Sequence, residues 1–339
     1  MYGWVAAGLN PFPLILLAPL AAAAATWLGE ELIVPRLARR YSLYGVDVHK
    51  PWRPRIPETG GSAILAGILA SLAVLAPARP VEAAAIGLSA AWLWLLGFLD
   101  DRYRLDPVSK PLLSSGAAIP LLALGCCWRT RLPFLGWVRL SIVYPFLLVP
   151  GMAVASNMFN MVDCLNGMMA SAGVAVGLSL LLAEAILAVL GGAVDPVLAA
   201  GLAGLVAVLA LHLYYNWYPA RVFNGDSGSL LVGGVLLAYA VYMHLEYVFL
   251  VASLPLILNG FTIVSSIRGL KERREIPRPT MVTGEGLIAA RRDRGAPITL
   301  IRLLTLGRAL REDEVVKAFI IVLCFSSLLA VSSALLLPH

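Results

Sequence analysis

Read as a pattern of apolar and polar positions, the chain is a series of long hydrophobic runs broken by short, densely polar ones. A helix that crosses a bilayer needs about 20 mainly apolar residues. Runs of about that length occur ten times, over roughly 4–29, 60–78, 82–99, 111–127, 138–156, 166–191, 196–214, 228–244, 246–266 and 316–337. The pattern predicts an all-α polytopic membrane protein of about ten transmembrane helices, with 1–339 as a single integral-membrane domain. The fourth run is short and contains Pro120, which makes it the least regular. The first run lacks a basic leader and reads as a true span.

The polar stretches lie at about 30–59, 100–110, 157–166, 215–227 and 267–315. They contain "GVDVHKPWRPRIPETGG", "DDRYRLDPVSK", "NMFNMVDCLNGM", "YYNWYPARVFNGDSGS" and "RGLKERREIPRPTMVTGEG". Spans alternate in direction, so all five fall on one face, while the loops of the other face are short and chemically plain. One site at one membrane face is the expectation. The last stretch is too long for a bare connector, and "ITLIRLLTLGRALRE" has the apolar-basic mixture of an interfacial helix.

Composition agrees with this reading: 60% of residues are hydrophobic and 14% charged, against about 25% charged in a soluble domain. The net charge of +6 does not mark a nucleic-acid binder, because the cations flank the apolar runs. The polar face holds 22 of the 26 Lys and Arg residues; Arg79, Arg129, Arg131 and Arg139 make up the other four. Cationic loops are retained in the cytoplasm. The site is therefore expected to face the cytoplasm from the cell membrane, with both termini outside. Cys126, Cys127, Cys164 and Cys324 lack metal-site or disulfide spacing.

The polar face supplies the candidate chemistry. Asp100 and Asp101 close the third run, and on a helix consecutive side chains point about 100° apart. They are suited to two partners, or else merely end a span beside Arg102 and Arg104. Lys110 lies beyond, where the chain can fold back toward an anion. Asn157, Asn160, Asp163 and Asn166 recur every three residues, a stripe that cannot face lipid. It is either a helix–helix seam or a set of the hard oxygen donors that Mg²⁺ takes. Asp226 sits between two glycines before the eighth run, where free helix-start amides favour phosphate, or where Asp226 or Ser227 caps the helix. Phe223 offers a ring face for a base. "KERREIPRP" is either a topology signal or an arginine clamp for a polyanion. The four histidines, His49, His212, His244 and His339, do not compose a metal centre. These groups together suit metal-assisted chemistry on a pyrophosphate, with a nucleotide as the soluble partner and a lipid as the other.

The motifs "GFLDD…K", "NxxNxxDxxNG" and "VFNGDSGSL", in that order along the chain, resemble those of the polyprenyl-phosphate N-acetylhexosamine-1-phosphate transferase family. "DVHKPWRPRIPE", "NWYPARVFNGD" and "IPR" before a Thr-Gly turn are more similar to its archaeal and eukaryotic dolichol branch, whereas "GDSGSL" and Asp163 look more bacterial. The resemblance implies transfer of N-acetylglucosamine-1-phosphate from a UDP-N-acetylhexosamine to polyprenyl (dolichyl) phosphate, releasing UMP, as the first lipid-linked step of N-glycan assembly. It implies Mg²⁺, with Mn²⁺ as a substitute, held by Asn160 and Asp226. Asp100 and Asp101 would sit beside the metal, one of them orienting or deprotonating the lipid phosphate, and Lys110 would contact phosphates. Phe223 would stack on uracil, and Asn166 and Glu58 would read the nucleoside. Lys50, Asp163 and Asn216 fall in the same motifs and would line the substrate. Arg273, Arg274 and Arg278 would hold sugar and phosphates, although Glu275 stands before Ile276 where relatives carry Arg or His. Partners are the two substrates and the lipid bilayer, without nucleic acid; a homodimer is left open. The alternatives are a bacterial-type phospho-muramyl-pentapeptide or undecaprenyl-phosphate transferase or, in a different class, a transporter of nucleotide-sugars or lipid pyrophosphates.

Overall fold

A computed structural model describes residues 12–50, 52–125, 128–271 and 275–338. The chain enters through α1 (Phe12–Leu28), passes a π turn (Gly29–Ile33) and continues as α2 (Val34–Tyr41). A hairpin of β1 (Tyr44–Val46) and β2 (Arg55–Pro57) leads to α3 (Gly60–Leu75) and α4 (Pro80–Tyr103). Two short helices, α5 (Ser109–Ser115) and α6 (Ala118–Ala123), precede a second hairpin, β3 (Arg129–Leu132) and β4 (Gly136–Arg139). Then come α7 (Val143–Val162), α8 (Met168–Val189), α9 (Pro196–Asn216), α10 (Gly225–Tyr242), α11 (Glu246–Ala252) and α12 (Leu254–Ile267). A third hairpin, β5 (Thr280–Val282) and β6 (Ile288–Ala290), precedes α13 (Leu300–Leu304) and α14 (Glu312–Ser333).

Among the described residues, seven helical rods are long and apolar enough to cross a membrane: α1–α2, α4, α7, α8, α9, α10 and α14. In hydrocarbon the backbone must satisfy its own polar groups, and a helix does so within one segment. The α11–α12 pair passes the same test only as a unit bent by 64°, and α3 is a shorter apolar helix. The expected fourth span is not a continuous helix. Its place is taken by α5 and α6, separated at Gly116–Ala117, with Pro120 in the first turn of α6, where a missing N–H is tolerated.

The fold is centred on α10, whose length is almost entirely buried. Small residues let its neighbours approach closely, as is common between membrane helices. A Cβ added at Gly97 of α4 would collide with the backbone of Asp226 and Ser227, and one at Gly61 of α3 with that of Ser227 and Gly228. Both crossings lie at the first turn of α10, so packing fixes the end of the helix that carries the "NGDSGS" motif.

Polar groups collect at the two ends of the bundle. Arg79 pairs with Asp195, Arg131 donates to the Ala193 carbonyl, and Thr130 and Tyr144 donate to Glu246. Asp100 and Asp101 lie at the other end of α4, about 32 Å away at 1.5 Å per residue. The last polar stretch departs from expectation. Its apolar-basic segment forms only the five-residue α13, capped by Thr299, and Leu310 bridges back to Ile288 of β6. Buried Ile301 and the Asn259 side chain, which accepts from Leu300 N, tie this segment to the bundle.

Candidate active site

The "DD" pair divides its work between two partners. Asp101 directs both oxygens at the start of α10, accepting from Asp226 N at 2.7 Å and Ser227 N at 3.2 Å. A carboxylate from one helix thus caps another, favoured by the positive end of the helix dipole. The amides expected to be free for phosphate are therefore occupied, and neither Asp226 nor Ser227 caps its own helix. Asp100 closes the turn after α4, accepting from Leu105 N at 2.6 Å. Asp106 then accepts from Val108 N and Ser109 N, both at 3.0 Å, and starts α5. These two turns fold Lys110 back onto the acids.

Lys110 Nζ lies 2.7 Å from Asp100 Oδ2 and 3.1 Å from Asn160 Oδ1, and also contacts Asp226 Oδ2. Burial opposes its charge, but the carboxylates of Asp226 and Asp100 outweigh that penalty and raise its pKa. Asn160 Nδ2 donates to Asp226 Oδ1 at 2.7 Å and to Ser229 Oγ at 2.8 Å. Three oxygens from α4, α7 and α10 converge on one cation. Carboxylate and amide oxygens are also the donors that Mg²⁺ takes. The residues present therefore fit a divalent ion.

The predicted stripe splits where α7 ends at Val162. Asn157 is a helix–helix seam, donating to Ser114 Oγ at 2.9 Å, whereas Asn160 enters the cation cluster. Asp163 and Asn166 stand in the following loop. They line a cleft with Glu58, Asn216, Phe223 and Asp226, against the β1–β2 hairpin. Burial pushes the Asp163 carboxyl up to about 7, although the Asn224 amide donating to it works the other way. Asn216 accepts from Gly167 N and donates to the Val222 carbonyl, both at 2.9 Å, so its amide clamps two loops.

Lys50 does not line the cleft. Its buried ammonium contacts Asp47 and lies 3.4 Å from Glu312 Oε2 and 4.7 Å from the Tyr218 ring centre. Asn166 joins this group, donating N–H to Glu312 at 2.9 Å and Nδ2 to Asp47 at 3.1 Å. Lys50 is thus a support for the cleft wall. Asp47, His49 and Glu312 have ligand atoms within 4.8 Å of one another, but the Lys50 ammonium already contacts both acids. Arg278 is exposed and does not line the cleft, and Arg273 and Arg274 lie outside the described residues. Sequence reasoning missed Asp47, Asn224 and Glu312. The motif "DVHK" could have indicated Asp47, but nothing local links Glu312 to Lys50 across 262 positions.

The sequence profile of glycosyl transferase family 4 matches residues 83–244. That segment contains Asp100, Asp101, Lys110, Asn160 and Asp226, the groups that meet at the cation cluster. The match to glycosyl transferase family 4 covers just under half of the chain. A Saccharolobus solfataricus protein, provisionally named UDP-N-acetylglucosamine–dolichyl-phosphate N-acetylglucosaminephosphotransferase, is 32% identical over 61% of this chain and 65% of its own. A Bacillus subtilis protein, provisionally named undecaprenyl-phosphate N-acetylglucosaminyl 1-phosphate transferase, is 29% identical over 73% of this chain and 71% of its own. The phospho-N-acetylmuramoyl-pentapeptide-transferase of Shouchella clausii is 27% identical over 73% and 81%. The chain thus spans just under two thirds of the first of these relatives, and more of the others.

Proposed function

We propose that this protein transfers N-acetylglucosamine-1-phosphate from UDP-N-acetylglucosamine to a dolichyl-type polyprenyl phosphate, releasing UMP, a reading supported by its match to glycosyl transferase family 4. The observation that carries the reading is the convergence of Lys110, Asp100, Asp226 and Asn160 beside a cleft walled by Phe223, at one end of an apolar bundle. Two anions must meet in this reaction, so charge neutralisation and alignment matter most.

The lipid phosphate oxygen attacks the sugar-bearing β-phosphorus, the bond from that phosphorus to the UMP oxygen breaks, and a lipid-linked sugar pyrophosphate forms. A phosphate monoester is largely ionised near pH 7, its second pKa being about 6, so no strong base is needed. Lys110, already shared by two acids and an amide, transfers its ammonium contacts to the phosphates as they enter. Asp100 holds the turn that aims it. Phe223 stacks on the base, with Glu58 and Asn166 at its edge. A Mg²⁺ ion bound by Asp226 and Asn160 would add charge neutralisation on the pyrophosphate. The polar face is cytoplasmic in this reading, because it carries most of the cations.

Purified protein given UDP-N-acetylglucosamine, polyprenyl phosphate and Mg²⁺ should release UMP and form a lipid pyrophosphate. Phe223→Ala should raise KM for the nucleotide-sugar, a stacked base being worth roughly 1–3 kcal/mol in nucleic-acid proteins. UMP release that needs no lipid phosphate, or none under any condition, would refute the reading.

A further inference from the structure

The reaction as described leaves one buried polar chain behind the cleft unused. At the π turn after α1, two consecutive acids point at α9: Tyr215 donates to Glu31 at 2.6 Å, and Glu30 Oε1 lies 2.5 Å from His212 Nδ1. His212 and the Glu30 side chain are wholly buried. The other ring nitrogen, Nε2, lies 2.6 Å from Asn224 Oδ1, and Asn224 Nδ2 donates to Asp163 Oδ1 at 2.6 Å. Four side chains thus run from α1's extension through α9 to the loop before α10 and the end of α7. Gly60 leaves the ring its space, since a Cβ there would lie 2.6 Å from His212 Cε1.

We propose that Glu30 and His212 are positioning residues that set the donor-binding wall of the cleft by locking Asn224, and through it Asp163. This inference rests on the donor reading above.

The bonding pattern fixes its direction. Asn224 spends its amide nitrogen on Asp163, so its oxygen faces His212 and can only accept. The proton on that side must therefore sit on Nε2. Nδ1 and Glu30 share a single proton, and whichever of them holds it, Nε2 still donates to Asn224. Glu30 Oε2 has no hydrogen-bond partner among the described residues, so His212 is what holds this acid. The loop beyond is pinned from the opposite side by its backbone: Gly60 N donates to the Phe223 carbonyl at 3.0 Å and Gly61 N to the Asn224 carbonyl at 2.9 Å. Backbone bonds set the path of the loop and His212 sets the side chain on it. Asp163, Phe223 and Asn224 line the cleft, whereas Glu30 and His212 do not. Their effect must therefore reach substrate through Asn224. A buried donor or acceptor stripped of its partner is costly, and Asn224 would leave its present rotamer if His212 were removed.

The full chain in detergent can be titrated calorimetrically with UDP-N-acetylglucosamine, followed by thermal unfolding and steady-state assays. His212→Phe keeps a ring but loses both bonds, and should weaken donor binding by about tenfold or more, the scale of a lost supporting bond at a binding site. KM for polyprenyl phosphate should change little. His212→Gln, whose amide can donate to Asn224, should recover most of the loss. Glu30→Gln can donate to Nδ1 and leave the Nε2 proton in place, so it should bind donor nearly as the native protein does. If His212→Phe does not fold, His212→Asn, which reaches Glu30 but not Asn224, should show the same weakened binding. Native-strength donor binding in either folded variant, or losses shared equally by both substrates and tracking Tm, would overturn the proposal. Absence of any donor binding by the native protein would instead overturn the donor reading, and this inference with it.

Discussion

Asp100 and Asp101 are neighbours with different duties, and substitution should separate them. Asp101 accepts from the first amides of α10, whereas Asp100 contacts Lys110 and the turn at Leu105. Asp101→Ala should destabilise the protein by roughly 1–2 kcal/mol, the value of a lost cap at a helix N-terminus, visible as a lower Tm. Asp100→Asn should leave Tm nearly unchanged and lower turnover about 100-fold, the scale of one electrostatic contact. Equal Tm losses, or full turnover in Asp100→Asn, would contradict this division. The sequence made a two-partner pair legible, because adjacent helical positions diverge. It did not reveal that one partner is a backbone, since capping by a distant helix leaves no local signature.

Asp163 gives a second test at this scale. Its carboxyl, ordinarily at 3.8, is pushed by burial up to about 7. It is mostly neutral at pH 6 and charged at pH 8, and its charged form repels a diphosphate. Donor affinity should fall as pH rises from 6 to 8, and Asp163→Asn should flatten that profile. Its effect on stability has the same sign: the contribution is fully present below the ordinary value and is lost as pH rises through about 7. An unchanged profile in Asp163→Asn would show that another group titrates.

At the scale of elements, the long apolar rods were legible because membrane insertion imposes length and composition together. Elements shaped by side-chain contacts were not. The fourth span was read as one helix, yet it breaks into α5 and α6 because Asp106 restarts the chain as α5 and Gly116–Ala117 ends it. The stripe from Asn157 to Asn166 was read as helical, yet α7 stops at Val162. The first turn of α10 is itself fixed by a close helix crossing. Gly97→Ala would force a Cβ into the backbone of Asp226 and Ser227, and overpacking of this kind costs about 1–3 kcal/mol. The variant should unfold earlier and lose activity out of proportion, because the displaced backbone carries Asp226. A Gly97→Ala protein with native Tm and turnover would mean that the crossing yields.

For the molecule as a whole, the two ends of the bundle differ in kind. One gathers the Arg79–Asp195 pair, the Arg131 bond to the Ala193 carbonyl and the Thr130 bond to Glu246, which brace short loops. The other gathers the cation cluster, the cleft and the Lys50 group, and most of the chain's Lys and Arg. The sequence revealed that asymmetry directly, since charge bias between loops survives whatever the helices do between them. It could not reveal how residues 47, 166 and 312 join, because such closure depends on three-dimensional packing. Sidedness follows from the same asymmetry and can be measured. In a background without the four native thiols, Val108→Cys reports on the site end, where Val108 is 60% exposed, and Ala193→Cys on the opposite end. An impermeant thiol reagent on intact cells should label position 193 and spare position 108 until the membrane is opened. Labelling of 108 in intact cells would put the cleft outside, away from nucleotide-sugars made in the cytosol. The transferase reading would then lose its donor, and the geometry of the cation cluster would need a substrate from the other side.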